Sequence, residues 1–241
     1  LGLATAAAAP LEARLDEGSG TITVHRDGLA KPLVTQHAAA DHRPYLHPIV
    51  GPDGNGVLTE HSPGHHKHQT GLYWGFTRVN GRDYFHHPAD NYWRRKGVKV
   101  LEARGESVKW ETVYDLLDAD GNAVLTETQR WTMRSDNNRH ILDLEWRGQG
   151  QTDVTIGKYN YGGLFLRMPW KPGTKGEAVN AARNINAAAE GQRAAVNLIY
   201  YTGGVDMPPK HITDQLVGTF GNIPRVGAVV EAEHGLLSSG L

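Results

Sequence analysis

The chain has no cysteine among its 241 residues, so neither a disulfide framework nor a thiolate metal site is open to it. It has no surplus of either charge: 25 basic and 26 acidic side chains leave a net −1, without the basic excess that a nucleic-acid backbone demands. No apolar run reaches the length of a membrane-spanning helix. Phosphate-binding glycine loops, nucleophile elbows and dinucleotide fingerprints are missing too. The length is enough to bury a real core, as one large all-β domain or two small ones. At the start, LGLATAAAAP reads as the end of an apolar leader followed by small residues suited to cleavage. Residues 1–9 are therefore expected to be a signal-peptide remnant and the protein to be periplasmic or extracellular; a frayed terminus is the alternative.

What is abundant is alternation. From Thr21 to Trp170 the pattern is nearly all strand. In SVKWETVYDLL, Val108, Trp110, Thr112, Tyr114 and Leu116 alternate with Lys109, Glu111 and Asp115, the period of a half-buried strand. DADGN at 118–122 supplies turn chemistry, and a second strand follows over Leu125–Met133. SDNNRH makes another turn before ILDLEW, in which Leu142, Leu144 and Trp146 share a face. Three strands in succession make an antiparallel meander, whose apolar side needs a second layer or a ligand to cover it. The expected fold is therefore an all-β antiparallel sandwich. GEAVNAARNINAAAEGQRAA is helical at most in part, its asparagines and glycines being poor helix formers. The sandwich domain is placed at 10–193. Residues 194–241 form an atypical tail with short apolar bursts and no alternation.

Asn80-Gly81 is the strongest local signal, because a type I′ hairpin needs positive φ at both central residues. Pairing Val79 with Arg82 sets Arg78 against Asp83, Phe76 against Phe85 and Trp74 against His87 on one face. Thr77 then meets Tyr84, and Gly75 meets His86, on the other.

Around this hairpin the histidines crowd. HSPGHHKH places His61, His65, His66 and His68 close together, and His86 and His87 return on the partner strand. His66 and His68, two apart, leave an extended segment on one side and can reach one ion. Imidazole suits divalent transition metals, and His66, His68 and His87 are the candidate ligands, although no fixed carboxylate completes the set. Two other readings stand beside it: a metal-free surface whose imidazoles bind hydroxyl groups, and a solvated loop. Aromatic residues interleaved with polar ones favour a sugar, whose C–H faces stack on rings while polar groups take its hydroxyls. Trp74 and Phe76 are assigned to the core, and Tyr73 and Tyr84 to the ligand. Arg43, Tyr45 and His47 alternate onto one face of a segment that Pro44 and Pro48 keep extended. Gly162-Gly163 permits a close approach, and Arg167 rises from an otherwise apolar strand.

The segments RPYLHPIVGPDG, HHKHQTGLYWGFTRVNGRDYFHH and YGGLFLRMPW…EGQR resemble a bacterial family of unknown function known as PmoA-like, or "methane oxygenase PmoA". Its members are usually exported and often encoded near carbohydrate-degrading genes. The likeness covers roughly Asp41 to Arg193. It places Arg43, Tyr45, His66, His68, Gln69, Gly71, Asn80, Gly81, Gly162, Gly163 and Arg167 at motif positions. It also implies a C-terminal region that departs from the family, whose closing Asp-His-Pro and Pro-Thr-Pro-Trp segments are not found here, as in a truncated or frame-shifted product. A membrane copper oxygenase subunit needs several spanning helices, for which this sequence has no candidate. The meander also resembles the galactose-mutarotase type of sandwich, which implies a sugar site on a concave sheet face.

Together these readings give an exported carbohydrate-active protein that binds or modifies a small sugar or an oligosaccharide. His66, His68 and His86 are the catalytic candidates for general acid or base work, with Arg43 stabilising developing charge. Tyr45, His47, Gln69, Tyr73, Tyr84 and Arg167 are the substrate-binding candidates. Glu127, Glu145 and Glu190 are the candidate carboxylate partners. The rival readings are a non-catalytic sugar-binding module and a metal-dependent oxygenase or hydrolase, in which a divalent transition metal would be the cofactor.

Overall fold

In a computed structural model the chain is described over residues 9–135, 139–159 and 162–169, together with four short strands at 177–179, 185–187, 227–232 and 235–240. It divides into two compact units, residues 1–158 with 165–169, and residues 159–164 with 170–241. The described segments are almost entirely β, relieved by one 3-10 turn at Asp90–Tyr92.

The described residues up to Leu166 form a sandwich of two sheets. One contains β1 (Leu11–Asp16), β2 (Thr21–Arg26), β3 (Val34–His37), β4 (Tyr45–Ile49), β5 (Leu72–Gly75), β7 (Arg104–Gly105) and β11 (Gly163–Leu166), in the order β11-β5-β4-β3-β2-β1-β7. The other contains β6 (Trp93–Glu102), β8 (Ser107–Leu117), β9 (Ala123–Ser135) and β10 (His140–Gly150), in the order β10-β9-β8-β6. The last three are the expected meander, antiparallel throughout, with Trp110 opposite Trp131 and Tyr114 opposite Glu127. Asp118 closes the β8–β9 turn: its carboxylate accepts the N–H groups of Asp120 and Asn122 at 2.9 and 2.8 Å, and Gly121 takes φ 84°. The second expected turn, at SDNNRH, falls partly on residues outside those described.

The alternation read along β8 is the inner face. Val108, Trp110, Thr112, Tyr114 and Leu116 are all buried. Polar groups tie the layers across this core. Trp110 Nε1 donates to Gln36 Oε1 at 3.1 Å, the Tyr114 hydroxyl to the Ala39 carbonyl at 2.6 Å, and Arg26 to Ser135 Oγ at 2.7 Å. Trp74 of the first sheet stacks on Trp146 of the second, 4.8 Å between centroids at 17°. Gly148 makes this geometry available, since a Cβ there would meet the Trp146 ring. Glu127 and Gln129 also point inward and are fully covered. On the outer face of β8, Glu111 and Asp115 are covered by ion pairs to Lys99 and Arg130, and to Arg94 and Lys96.

β6 is an edge strand, broken by register shifts between Arg95 and Gly97 and between Val100 and Glu102. Arg94, Lys96 and Lys99 are exposed along it.

In the second unit, β12 (Glu177–Val179) pairs antiparallel with β13 (Ile185–Ala187), and β14 (Gly227–Ala232) with β15 (Gly235–Gly240). Over 176–195, read from the sequence as helical at most in part, the described residues form a strand pair. Val179 and Ile185, residue types that favour strands, are register partners there, and Asn186 is a poor helix former. Residues 1–8 of the expected leader, and most of the expected tail from 194, lie outside the described residues.

Gly20 marks the tightest joint of the sandwich. It has φ 72°, and a Cβ there would lie 1.9 Å from Arg95 Nη1 and 2.3 Å from the Ala38 carbonyl. Those two atoms are themselves hydrogen-bonded at 2.6 Å, linking β6 to the end of β3. Gly20→Ala is expected to lower stability by about 2 kcal/mol or more in urea denaturation, through strain and overpacking together.

Candidate functional site

The Asn80-Gly81 turn forms as the sequence predicts. Asn80 has φ 49° and Gly81 φ 79°, and Val79 and Arg82 exchange N–H···O bonds of 3.0 and 2.9 Å. The Asn80 side chain is clamped at both ends, donating to Asp153 O at 3.0 Å and accepting from Thr155 N at 2.8 Å. Beyond Arg82 the predicted register fails. Tyr84 N–H reaches Phe76 O at 2.9 Å rather than Thr77. Asp83 is the cause: its Oδ1 accepts the N–H groups of Phe85 and His86, each at 3.0 Å, and bends the chain out of the ladder. The expected pairs of Gly75 with His86, Trp74 with His87 and Arg78 with Asp83 give way to a turn in which Asp83 Oδ2 holds His86 Nδ1 at 2.7 Å. Burial works against the Asp83 charge, but the His86 and Phe85 N–H groups and the His86 ring hold its carboxyl below the usual range.

Arg43 lies beneath this turn with no exposed surface. Its Nη1 donates to Phe85 O at 2.7 Å, and its Nη2 to His68 O at 2.6 Å and Thr70 Oγ1 at 3.4 Å. Its guanidinium lies 3.6 Å from the centre of the Tyr73 ring. Gly75 leaves the space: a Cβ there would stand 3.2 Å from Arg43 Nη1 and 3.1 Å from Phe85 Cδ2. Arg43, read from the sequence as a stabiliser of charge on a substrate, is thus occupied in tying the loop at His68 to the turn at Phe85. Desolvation pulls it down to about 10, which leaves it charged at neutral pH.

Two groups of imidazoles result, connected by the segment 61–70, whose ends pair through His61 and Thr70. In the first, His68 and His86 are 4.6 Å apart by centroid, His66 lies 5.9 Å from His68, and His65 lies 3.9 Å from His66. Burial first, then His86, Arg43 and His66, push His68 down to about 4, so it is neutral at physiological pH. The second group surrounds Tyr45. His37 stacks on that ring at 4.7 Å, His42 and His61 each approach to 5.4 Å, and His47 lies 5.3 Å from His61. His37 Nε2 donates to His47 O at 2.8 Å, which leaves Nδ1 as its acceptor. His42 Nδ1 donates to Arg43 O at 2.8 Å, which leaves Nε2 as its acceptor. His47 Nδ1 meets Thr59 Oγ1 at 2.9 Å, and that oxygen already accepts Ile49 N–H at 3.1 Å. The Thr59 hydroxyl can donate to Nδ1 or accept from it, and His47 Nε2 takes the complementary role. Burial holds all four of these histidines below the ordinary imidazole value, and raises the Tyr45 phenol.

The structure therefore brings together His66, His68 and His86, and sets Tyr45 with His47. The remaining candidates separate from these two groups. Tyr73 is buried between Arg43, Phe85 and Phe165. Tyr84 is buried and donates its hydroxyl to Leu117 O at 2.7 Å, because the turn at Asp83 rotates it into the sandwich. Arg167 pairs with Glu60 at 2.9 Å and donates to Gln69 Oε1 at 3.1 Å, so both motif residues brace the base of the loop. His87 turns away and lies flat on Tyr92, 4.6 Å between centroids at 9°. The trio His66, His68 and His87 is thus not assembled, and among the described residues no three His, Cys, Asp or Glu side chains are disposed to hold a metal ion. Glu145 is exposed beside Arg130, and Glu190 lies outside the described residues. Sequence reasoning missed His37, His42 and Asp83. His37 is the register partner of Tyr45, a signal that appears only once HAAADHRPY is read as the link between two strands.

Residues 21–206 match the model of a family described as "Family of unknown function (DUF6807)". The chain is a DUF6807 protein. The matched span contains both histidine groups and runs past Arg193 to Asp206. No curated protein and no solved structure matches the DUF6807 chain significantly.

His68 yields a pH signature. Its folded value, about 4, lies below its ordinary 6.5, so between these limits the unfolded chain binds the proton that the folded one refuses. Its contribution is fully present above 6.5 and is lost as pH falls toward 4. His68→Gln removes that loss. Relative to the parent, the variant is expected to gain stability as urea denaturation is repeated from about pH 7 down to about pH 4.5. A constant difference across that range would contradict the buried neutral imidazole.

Proposed function

We propose that this DUF6807 protein is carbohydrate-active and binds a sugar over Tyr45. The observation that carries the reading is the partly open Tyr45 ring, met by His37, His42 and His61 with His47 against His61, four imidazoles whose proton affinity burial lowers. His37 and His42 each have one nitrogen donating to a backbone carbonyl and so offer the other as an acceptor, while His47 Nε2 takes the role, donor or acceptor, complementary to its Nδ1. A neutral polyol satisfies such a mixture, presenting C–H faces to an aromatic plane and hydroxyls to both kinds of nitrogen. The ring contact assigned from sequence to Tyr73 and Tyr84 passes to Tyr45.

The His68–His86 pair supports a chemical step on that sugar. Asp83 orients the His86 ring through Nδ1, the arrangement in which an imidazole serves as general base on a ligand hydroxyl or an acidic C–H. His66 and neutral His68 lie beside it. The motif likeness to PmoA-like proteins, many encoded near carbohydrate-degrading genes, supports the same substrate class.

A panel of mono- and oligosaccharides titrated calorimetrically and followed for turnover tests the reading. At least one sugar is expected to bind, with a loss of about tenfold or more in Tyr45→Ala, in line with the loss of a stacking contact. His86→Ala is expected to abolish turnover while binding persists. Absence of binding across the panel, or unchanged affinity in Tyr45→Ala, would overturn it. Binding without turnover in the parent protein would favour a sugar-binding module.

A further inference from the structure

A cavity of about 500 Å³ opens between the Asn80-Gly81 turn and the turn joining β8 to β9, a size within the roughly 300–1,000 Å³ of ordinary small-molecule sites. Neither Tyr45 nor any histidine lines it. Asp83 does, and through its hold on His86 Nδ1 at 2.7 Å it joins the cavity to the histidine-rich end. The walls are held by bonds of their own. The Asn80 side chain is tied to Asp153 and Thr155, and the Asp118 carboxylate accepts the N–H groups of Asp120 and Asn122. The Tyr84 hydroxyl bridges one wall to the other at Leu117 O. A ligand would meet a surface already formed, which lowers the ordering cost of binding.

The lining combines apolar surface with polar groups that are only partly used. Val79, Tyr84 and Val124 are buried and belong to the sandwich core. Arg82 lies with its guanidinium 3.7 Å from the centre of the Tyr92 ring, and His87, the imidazole that joins neither histidine group, stacks on the same ring. Of the guanidinium nitrogens of Arg82 only Nη2 donates among the described residues, through long bonds of 3.3 and 3.4 Å to Asn91. Asp83 Oδ2 accepts from His86 and Asp118 Oδ2 from Asn122, one hydrogen bond each, so both oxygens keep a lone pair. Two acidic side chains against one basic one make the lining unfavourable to an anion. Among the described residues no three acidic or imidazole side chains converge for a metal ion. A neutral ligand rich in hydroxyls fits all of these groups at once, because each hydroxyl both donates and accepts.

We propose that this cavity is a second sugar-binding site, separate from Tyr45. Hydroxyls of the bound unit donate to Asp83 and Asp118 and accept from Arg82, while its C–H surface covers Val79 and Val124. That the ligand is a sugar rests on the function proposed above; that it is neutral and hydroxyl-bearing follows from the lining alone.

Amide nuclear magnetic resonance of the labelled full chain tests the assignment, with glucose, galactose, xylose and their oligomers as probes beside inorganic phosphate and calcium. The Gly81 and Ala119 signals are expected to move saturably with at least one sugar, in the parent and in Tyr45→Ala alike. Arg82→Ala, and Ala119→Trp at an exposed position on the cavity wall, are each expected to weaken that response about tenfold or more and to leave any response at Leu46, beside Tyr45, unchanged. Sugars that move Leu46 but neither Gly81 nor Ala119 overturn the second site and leave the Tyr45 reading standing. Sugars that move Gly81 and Ala119 but not Leu46 support the second site and remove the Tyr45 reading. Gly81 and Ala119 signals that answer only to phosphate or calcium, or to no probe, overturn the proposal in the parent protein whether or not the variants fold. An unchanged midpoint in both folded variants overturns it as well.

Discussion

A single guanidinium organises the histidine-rich end of this protein. Arg43 enters the interior from the segment preceding β4 and spends its donors on backbone carbonyls from two other segments, at His68 and Phe85. Hydrogen bonds from a charged group to carbonyls are among the stronger that a protein makes, and two at 2.6–2.7 Å fix the relative positions of loops that have no ladder between them. Tyr73 beneath and Gly75 beside it are shaped around the same cation. The proximity of His68 to His86 follows from that anchor rather than from any strand register.

How much of this is legible beforehand varies with the range of the forces involved. The Asn80-Gly81 turn depends on two residues' φ values, and the inner face of β8 on a period of two, so both appear in the sequence. Asp83 is different. Its side chain competes with the ladder for backbone N–H groups, and that local contest redirects Tyr84, Phe85, His86 and His87 at once. An extended register therefore predicts the wrong partner for each of them. The burial of Glu127 shows another limit, since a carboxylate gives no sign of an inner position and its donors Gln129 and Trp146 are known only once β9 and β10 pair. The imidazoles around Tyr45 were half visible. His47 and Tyr45 share a parity, whereas His37 and His42 join them only through the β3–β4 pairing and the chain that links those strands.

The two histidine groups differ in how they are held, and this separates recognition from chemistry. Around Tyr45, ring nitrogens are tied to carbonyls and to a threonine hydroxyl, which holds the rings without introducing charge. At His86 the partner is a carboxylate, which orients the ring through Nδ1. Both share the 61–70 segment, braced at its base by Arg167, Glu60 and Gln69. Membership of DUF6807 covers that whole assembly.

The interruptions in β6 have a consequence for how copies of this protein meet. A sheet border offers unpaired N–H and C=O groups to any other extended chain, and a long regular border is an invitation to fibrous association. Here the border is kinked twice, and Arg94, Lys96 and Lys99 project from it. A second molecule approaching along that side would meet mismatched spacing and like charge, so crowding at high concentration is not expected to propagate through it.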